Sequence, residues 1–76
     1  MKITYDAEVD ALYIRFRSTQ VETKHIEDGL AIDYDAEDRV AGIEILDVKL
    51  RVSGGEKSLK QIEFDDFRGT AKRIET

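Results

Sequence analysis

Two short stretches concentrate the carboxylates of this chain. Asp6, Glu8 and Asp10 alternate in one, and Asp33, Asp35 and Glu37 alternate in the other. Alternating carboxylates suit a calcium loop, because a hard cation takes oxygen ligands. Such a loop also needs a Gly at its sixth position and a bidentate Glu at its twelfth. Counting from Asp6 places Ala11 and Arg17 there; counting from Asp33 places Asp38 and Glu44 there. The second count meets the Glu and not the Gly. Asp6, Asp10, Asp33 and Asp35 are thus the candidates for a divalent ion. The default expectation is solvated turn carboxylates, with no metal and no cofactor.

Other catalytic chemistry has few residues to draw on. His25 is the one side chain that titrates near neutrality when unperturbed. It follows Lys24 on a strand-like segment, and the chain has no Cys to pair with it. Ser18, Ser53 and Ser58 lie outside any nucleophile-elbow pattern. No P-loop or dinucleotide fingerprint is present. Gly54-Gly55 reads as a linker rather than a phosphate cradle. Tyr13, Arg15 and Arg17 form a basic-aromatic stripe of the kind that single-stranded nucleic acids use. Facing carboxylates make cross-strand ion pairing the simpler account, and nucleic acid is not the expected partner. The expectation is no enzyme.

The elements that hold these residues are strands. Leu12, Ile14 and Phe16 share one face of residues 11–17, with Tyr13, Arg15 and Arg17 opposite. That period of two marks a half-buried strand. Leu30, Ile32 and Tyr34 repeat the pattern, and Val21, Thr23 and His25 give a weaker version. The reading is mainly β: an antiparallel meander of about five strands near 2–5, 11–17, 20–27, 30–35 and 40–46, with a bulge near Gly42. Asp28-Gly29 between two alternating runs signals a two-residue hairpin, whose type I′ form has positive φ at both central residues. Tyr5-Asp6-Ala7-Glu8 recurs as Tyr34-Asp35-Ala36-Glu37, two hairpins using the same Asx-turn chemistry.

Beyond Asp47 the pattern weakens. Leu46, Val48, Leu50 and Val52 alternate as a strand would, while Ile43, Leu46 and Leu50 fit a short helix. Residues 1–52 are read as the β-meander domain. Residues 53–76 are read as a Gly-hinged C-terminal arm or cover segment of the same single domain. Within it, residues 58–67 are expected as a further strand or a short helix. The alternative is an α+β fold in which a C-terminal helix covers the sheet.

The chain has 76 residues, a net charge of −5, one His and no Cys or Pro. A core of this size yields only about 3–5 kcal/mol of net stability. Without disulfides, and with zinc excluded by the missing Cys and single His, oligomerisation or a partner is the remaining source of buried area. The start of the chain lacks the apolar region of a signal peptide, and no apolar run reaches the ~20 residues of a membrane span. A cytoplasmic location is expected. Residues 1–50 carry 6 basic and 12 acidic residues, so the body suits a basic partner.

Residues 5–14, Tyr-Asp-Ala-Glu-Val-Asp-Ala-Leu-Tyr-Ile, resemble the opening signature of a small prokaryotic family catalogued as domain of unknown function 2283. Residues 32–47, from Ile32-Asp33-Tyr34-Asp35 to Ile45-Leu46-Asp47, look like its second signature. The resemblance covers roughly residues 3–50. Where the family shows a polar residue and Gly, around 37–39, this chain has Glu37-Asp38-Arg39. The resemblance implies a compact, mostly β domain with no catalytic residues to carry over. It also implies an arrangement resembling a toxin–antitoxin pair, with a second small domain, number 4258, as the other member.

Size, charge and resemblance converge on a non-enzymatic protein-binding module, antitoxin-like, that recognises a basic partner. Leu59, Ile62, Phe64 and Phe67 are its candidate anchors, ordering on binding. The alternative is a self-associating structural domain, a homodimer. A small divalent-metal-binding protein or enzyme ranks last.

Overall fold

In the computed structural model, which describes residues 1–63, five strands form one antiparallel sheet. They are β1 (Lys2–Asp6), β2 (Ala11–Arg15), β3 (Glu22–Glu27), β4 (Leu30–Tyr34) and β5 (Val40–Leu46). The mainly β reading therefore holds. The order across the sheet is β1-β2-β5-β4-β3, which corrects a simple meander. β3, β4 and β5 do run as a meander, and β1 and β2 form a hairpin. The link from β2 to β3 then crosses to the far edge, so that β5 inserts between β2 and β4. Burial explains the choice. Ala41 and Gly42 of β5 are buried, while every residue of β3 is exposed. The strand with most to bury takes the centre, and the charged one takes an edge.

Register sorts the side chains onto two faces. On one, Leu12 and Leu30 flank Ile45, and Ile14 and Ile32 flank Ile43. Ile3 and Tyr5 extend this apolar ladder toward the β1 edge, opposite Ile14 and Leu12. The other face carries Thr4, Tyr13, Arg15, Glu44, Ala31, Asp33, Thr23 and His25.

Bulges adjust both hairpins. Asp33 pairs with Gly42 and Tyr34 with Val40, which leaves Ala41 as the extra residue beside the expected Gly42. Its carbonyl accepts the amides of Phe16 (2.8 Å) and Arg17 (3.4 Å), holding the chain that leaves β2. A second bulge falls at Ile26, between His25 and Glu27. It increases the local right-handed twist next to the Asp28-Gly29 turn. Of those two residues only Gly29 has positive φ (88°), so the expected type I′ turn is not the one formed.

Among the described residues, three other than Gly have left-handed backbones, and all are Asp: Asp10, Asp38 and Asp47. Asp tolerates this conformation better than most residues. Asp38 lies in the stretch where the resembling family shows Gly. Asp47 turns the chain out of β5, so residues 48–51 do not continue the strand that their alternation suggests. They form α1 (Val48–Arg51), followed by a short 3₁₀ helix over Gly55–Lys60. Gly54 and Gly55, expected as a linker, form the left-handed turn between them. Of the expected 58–67 strand or helix, residues 58–60 are helical and 61–63 have no regular structure. Residues 64–67 lie outside the described residues. No helix among the described residues is long and apolar enough to cross a membrane.

Among the described residues the buried apolar ones are Leu12, Ala31, Ala41 and Val48, and of these Val48 alone is wholly enclosed. Asp10 secures that contact. Its carbonyl accepts the Val48 amide (3.2 Å), and its carboxylate accepts the Lys49 amide (3.0 Å) and the Tyr5 hydroxyl (2.6 Å). Both carboxylate bonds hold Asp10 below the usual carboxylate range, with Tyr5 the larger cause. The Tyr5 phenol, donating to Asp10, is pushed up to about 12. Arg51 ties the other side of α1 to the β3–β4 turn, through Glu27 (2.7 Å) and the Asp28 carbonyl.

Asp10→Ala removes both carboxylate acceptors and puts Ala in a left-handed backbone. It should lower the melting temperature more than Asp10→Asn, which tolerates that backbone and keeps one acceptor. Thermal melts followed by circular dichroism check this; equal losses would show that the Asp10 lock contributes little.

Candidate functional site

The polar face holds the chain's one buried charged residue among those described. Asp33, at the middle of β4, is 2% exposed. A buried carboxylate must have its oxygens satisfied. Here Thr23 on β3 donates to Oδ1 (2.5 Å) and Tyr13 on β2 donates to Oδ2 (2.9 Å). Tyr13 reaches across β5 because Gly42 lies between. A Cβ built on Gly42 would stand 2.8 Å from the Tyr13 hydroxyl and 3.1 Å from the Ile14 carbonyl oxygen. The missing side chain is thus the opening through which three strands share one carboxylate.

Glu44 lies next to this group on β5, opposite both Tyr13 and Ala31. Burial raises its pKa above the ordinary glutamate value, and the Asp33 charge and a hydrogen bond to Asp33 raise it further; His25 counteracts part of this. The Tyr13 phenol is raised, first by its bond to Asp33 and then by burial. Glu44 and Tyr13 therefore both keep their protons more firmly than free side chains do. The three described recesses are lined by other residues.

A shallow recess opens where β3 begins and β4 ends. Val21 and Tyr34 form its apolar floor, and Glu22, Asp35 and Asp38 stand round it. Asp35 is engaged as a turn acceptor, taking the Glu37 and Arg39 amides at 2.8 and 2.9 Å. Those bonds, with the Arg39 guanidinium, hold its pKa below the usual range. Glu22 and Asp38 make no ion pair among the described residues. Lys24 Nζ lies 5.5 Å from the Tyr34 ring centre, which shows that this ring accepts a cation over its face.

The four carboxylates expected as metal candidates are held in separate places. Asp6 accepts the Glu8 amide (2.9 Å) in an Asx turn, and Asp35 does the same in the echoed turn. Asp10 locks α1, and Asp33 is buried between strands. Among the described residues no group of three or more His, Cys, Asp or Glu could hold a metal ion. His25 is exposed on the β3 edge. Of the expected anchors, Leu59 is half-buried and Ile62 is exposed, while Phe64 and Phe67 lie outside the described residues. Sequence reasoning missed Thr23 and Glu44, and it read Tyr13 as part of an outward stripe. The available signal was Gly42, a small residue in a central strand.

Gly42→Ala should push the Tyr13 hydroxyl off Asp33 and destabilise the fold by about 1–3 kcal/mol. Denaturant titration checks it, and a loss under ~0.5 kcal/mol would mean that Tyr13 moves freely. Glu44 gives a pH signature. Its folded pKa is raised, so its stabilising contribution is complete below the unfolded value and is lost as pH rises through the folded one. Glu44→Gln should therefore raise the melting temperature at pH 7, with the gain shrinking below about pH 4.3. A gain independent of pH would remove the linkage.

Residues 2–49 match a family model described as "Protein of unknown function (DUF2283)". Neither the curated proteins nor the solved structures gave a match. The matched span runs from the first residue of β1 into α1, and so takes in all five strands, the Asp33 group and the Asp10 lock. It is also well over half of the chain: this protein belongs to the DUF2283 family.

Proposed function

We propose that this chain is a non-enzymatic, antitoxin-like module that recognises a basic partner protein in the cytoplasm. The observation that carries the reading is the recess between β3 and the β4–β5 turn. Glu22 and Asp38 stand there in no ion pair among the described residues, beside Tyr34, whose ring already carries the Lys24 ammonium at 5.5 Å. A Lys or Arg from a partner would gain two carboxylates at one point. The net charge of −5 would attract such a partner from a distance. Val40, 44% exposed and paired with Tyr34, would add an apolar contact next to the recess. Ile62, exposed near the end of the described residues, and half-buried Leu59 would be further apolar contacts for such a partner.

The remaining carboxylates have structural roles that need no catalysis. Asp6, Asp10 and Asp35 accept backbone amides, and Asp33 is enclosed between Thr23 and Tyr13. Glu22 and Asp38 make no such bond among the described residues, and they line the recess.

The test is capture from native lysate with the tagged full-length chain, in parallel with a Glu22→Lys, Asp38→Lys variant. The expected result is one stoichiometric basic protein, released by high salt and bound at least roughly tenfold more weakly by the variant. Expressed alone, that protein should arrest growth, and co-expression of this chain should relieve the arrest. A partner retained equally by both forms would overturn the recess as the recognition point.

A further inference from the structure

The opposite edge of the sheet has a different character. Among the described residues β1 is bonded on one side only, to β2, and its sequence is Lys2-Ile3-Thr4-Tyr5-Asp6. A strand edge with free amides and carbonyls accepts another strand unless charge, Pro or a bulge prevents it. β3 is protected in that way. Its bulge at Ile26 interrupts the edge. Set antiparallel against itself about Lys24, it places Lys24 opposite Lys24; shifted by half a step, it places Glu22 opposite Glu27. Neither arrangement is favourable.

β1 behaves in the reverse way. We propose that the free edge of β1 pairs with the same edge of a second copy, antiparallel and centred on Thr4, so that two sheets become one. In this register Lys2 faces Asp6 of the partner subunit, and Asp6 faces Lys2 of the partner subunit. Ile3 faces Tyr5 of the partner subunit, and Thr4 faces its own counterpart. Every pair is complementary: two ion pairs, two apolar pairs and one Thr–Thr pair. The symmetry is the two-fold, self-complementary kind that closes as a dimer.

A second observation within the single chain points the same way. Lys2 stands directly opposite Arg15 on β2. Like charges facing across a strand pair are unfavourable, and Lys2 makes no ion pair among the described residues. The pairing sets a carboxylate on its other side. Asp6 has one oxygen on the Glu8 amide and a second with which to meet a lysine. The apolar pairs matter too. Ile3 is 40% exposed at the margin of the ladder, and Tyr5 of the partner subunit would continue that ladder across the junction. The β3 edge and its recess stay free, so each copy keeps its recognition point.

Sedimentation of the full chain from ~10 µM to ~1 mM tests this, a range suited to a small interface. The expected result is a monomer–dimer equilibrium shifting to dimer. Lys2→Asp and Asp6→Lys should each weaken it by roughly tenfold or more. The double variant Lys2→Asp, Asp6→Lys restores the ion pairs in reverse and should recover the dimer. That recovery also controls for any loss of the Asp6 turn. Thr4→Cys gives a chain whose only Cys lies on the two-fold axis; mild oxidation should link it into a covalent dimer. Thr23→Cys, on the β3 edge, should not link. A monomer at every concentration would overturn the proposal, as would a dimer indifferent to both charge reversals. Cross-linking of Thr23→Cys as readily as Thr4→Cys would also overturn it.

Discussion

The sheet depends on what β5 is made of where it passes between β2 and β4. A strand in that place must present an apolar side to one layer and very little bulk to the other. Ile43 and Ile45 meet the first demand, and Ala41 and Gly42 the second. With Gly42 bare, Tyr13 can cross the strand to Asp33, and Thr23 can reach the same carboxylate from the other side. One buried group thereby ties β2 to β4 across the strand that separates them, and ties β4 to its neighbour β3. A larger residue at 42 would meet both the Tyr13 hydroxyl and the Ile14 carbonyl. The apolar ladder can form in many registers, but the Asp33 bonds are made in one.

The acidic character of the chain has a backbone cause as well as an electrostatic one. Asp6 and Asp35 close the two echoed turns by accepting amides two residues on. Asp10, Asp38 and Asp47 take left-handed backbones that most residues avoid. With only 5 Gly and no Pro to shape its turns, the chain uses aspartate in their place. Much of the negative charge is a by-product of that usage.

Some of this is legible in the amino-acid sequence. Period-two alternation places the strands to within a residue or two, because a half-buried strand can hardly be written otherwise. The echoed Tyr-Asp-Ala-Glu identifies the Asx turns, and Gly42 marks the bulge. Strand order is not legible, since alternation states which side of a strand is apolar and nothing about its neighbours. The 46/48/50/52 alternation misleads because a single backbone angle at Asp47 ends the strand. Asp33 looks like its neighbour Asp35, a solvated carboxylate. Its partners lie 10 and 20 residues away, and no local pattern announces them.

The place of β5 also divides the chain in time. β1 pairs with β2 across a short turn, and β3, β4 and β5 pair in succession, so both units are made of contacts close in sequence. Among the strand pairings, only the β2–β5 seam joins residues far apart, such as Leu12 with Ile45. Closing a chain over that distance has an entropic cost that must be met before the contacts return anything. That cost falls on this one seam. The slow event in forming the sheet is then the meeting of two pieces already made, with α1 fixed onto Asp10 only after they join.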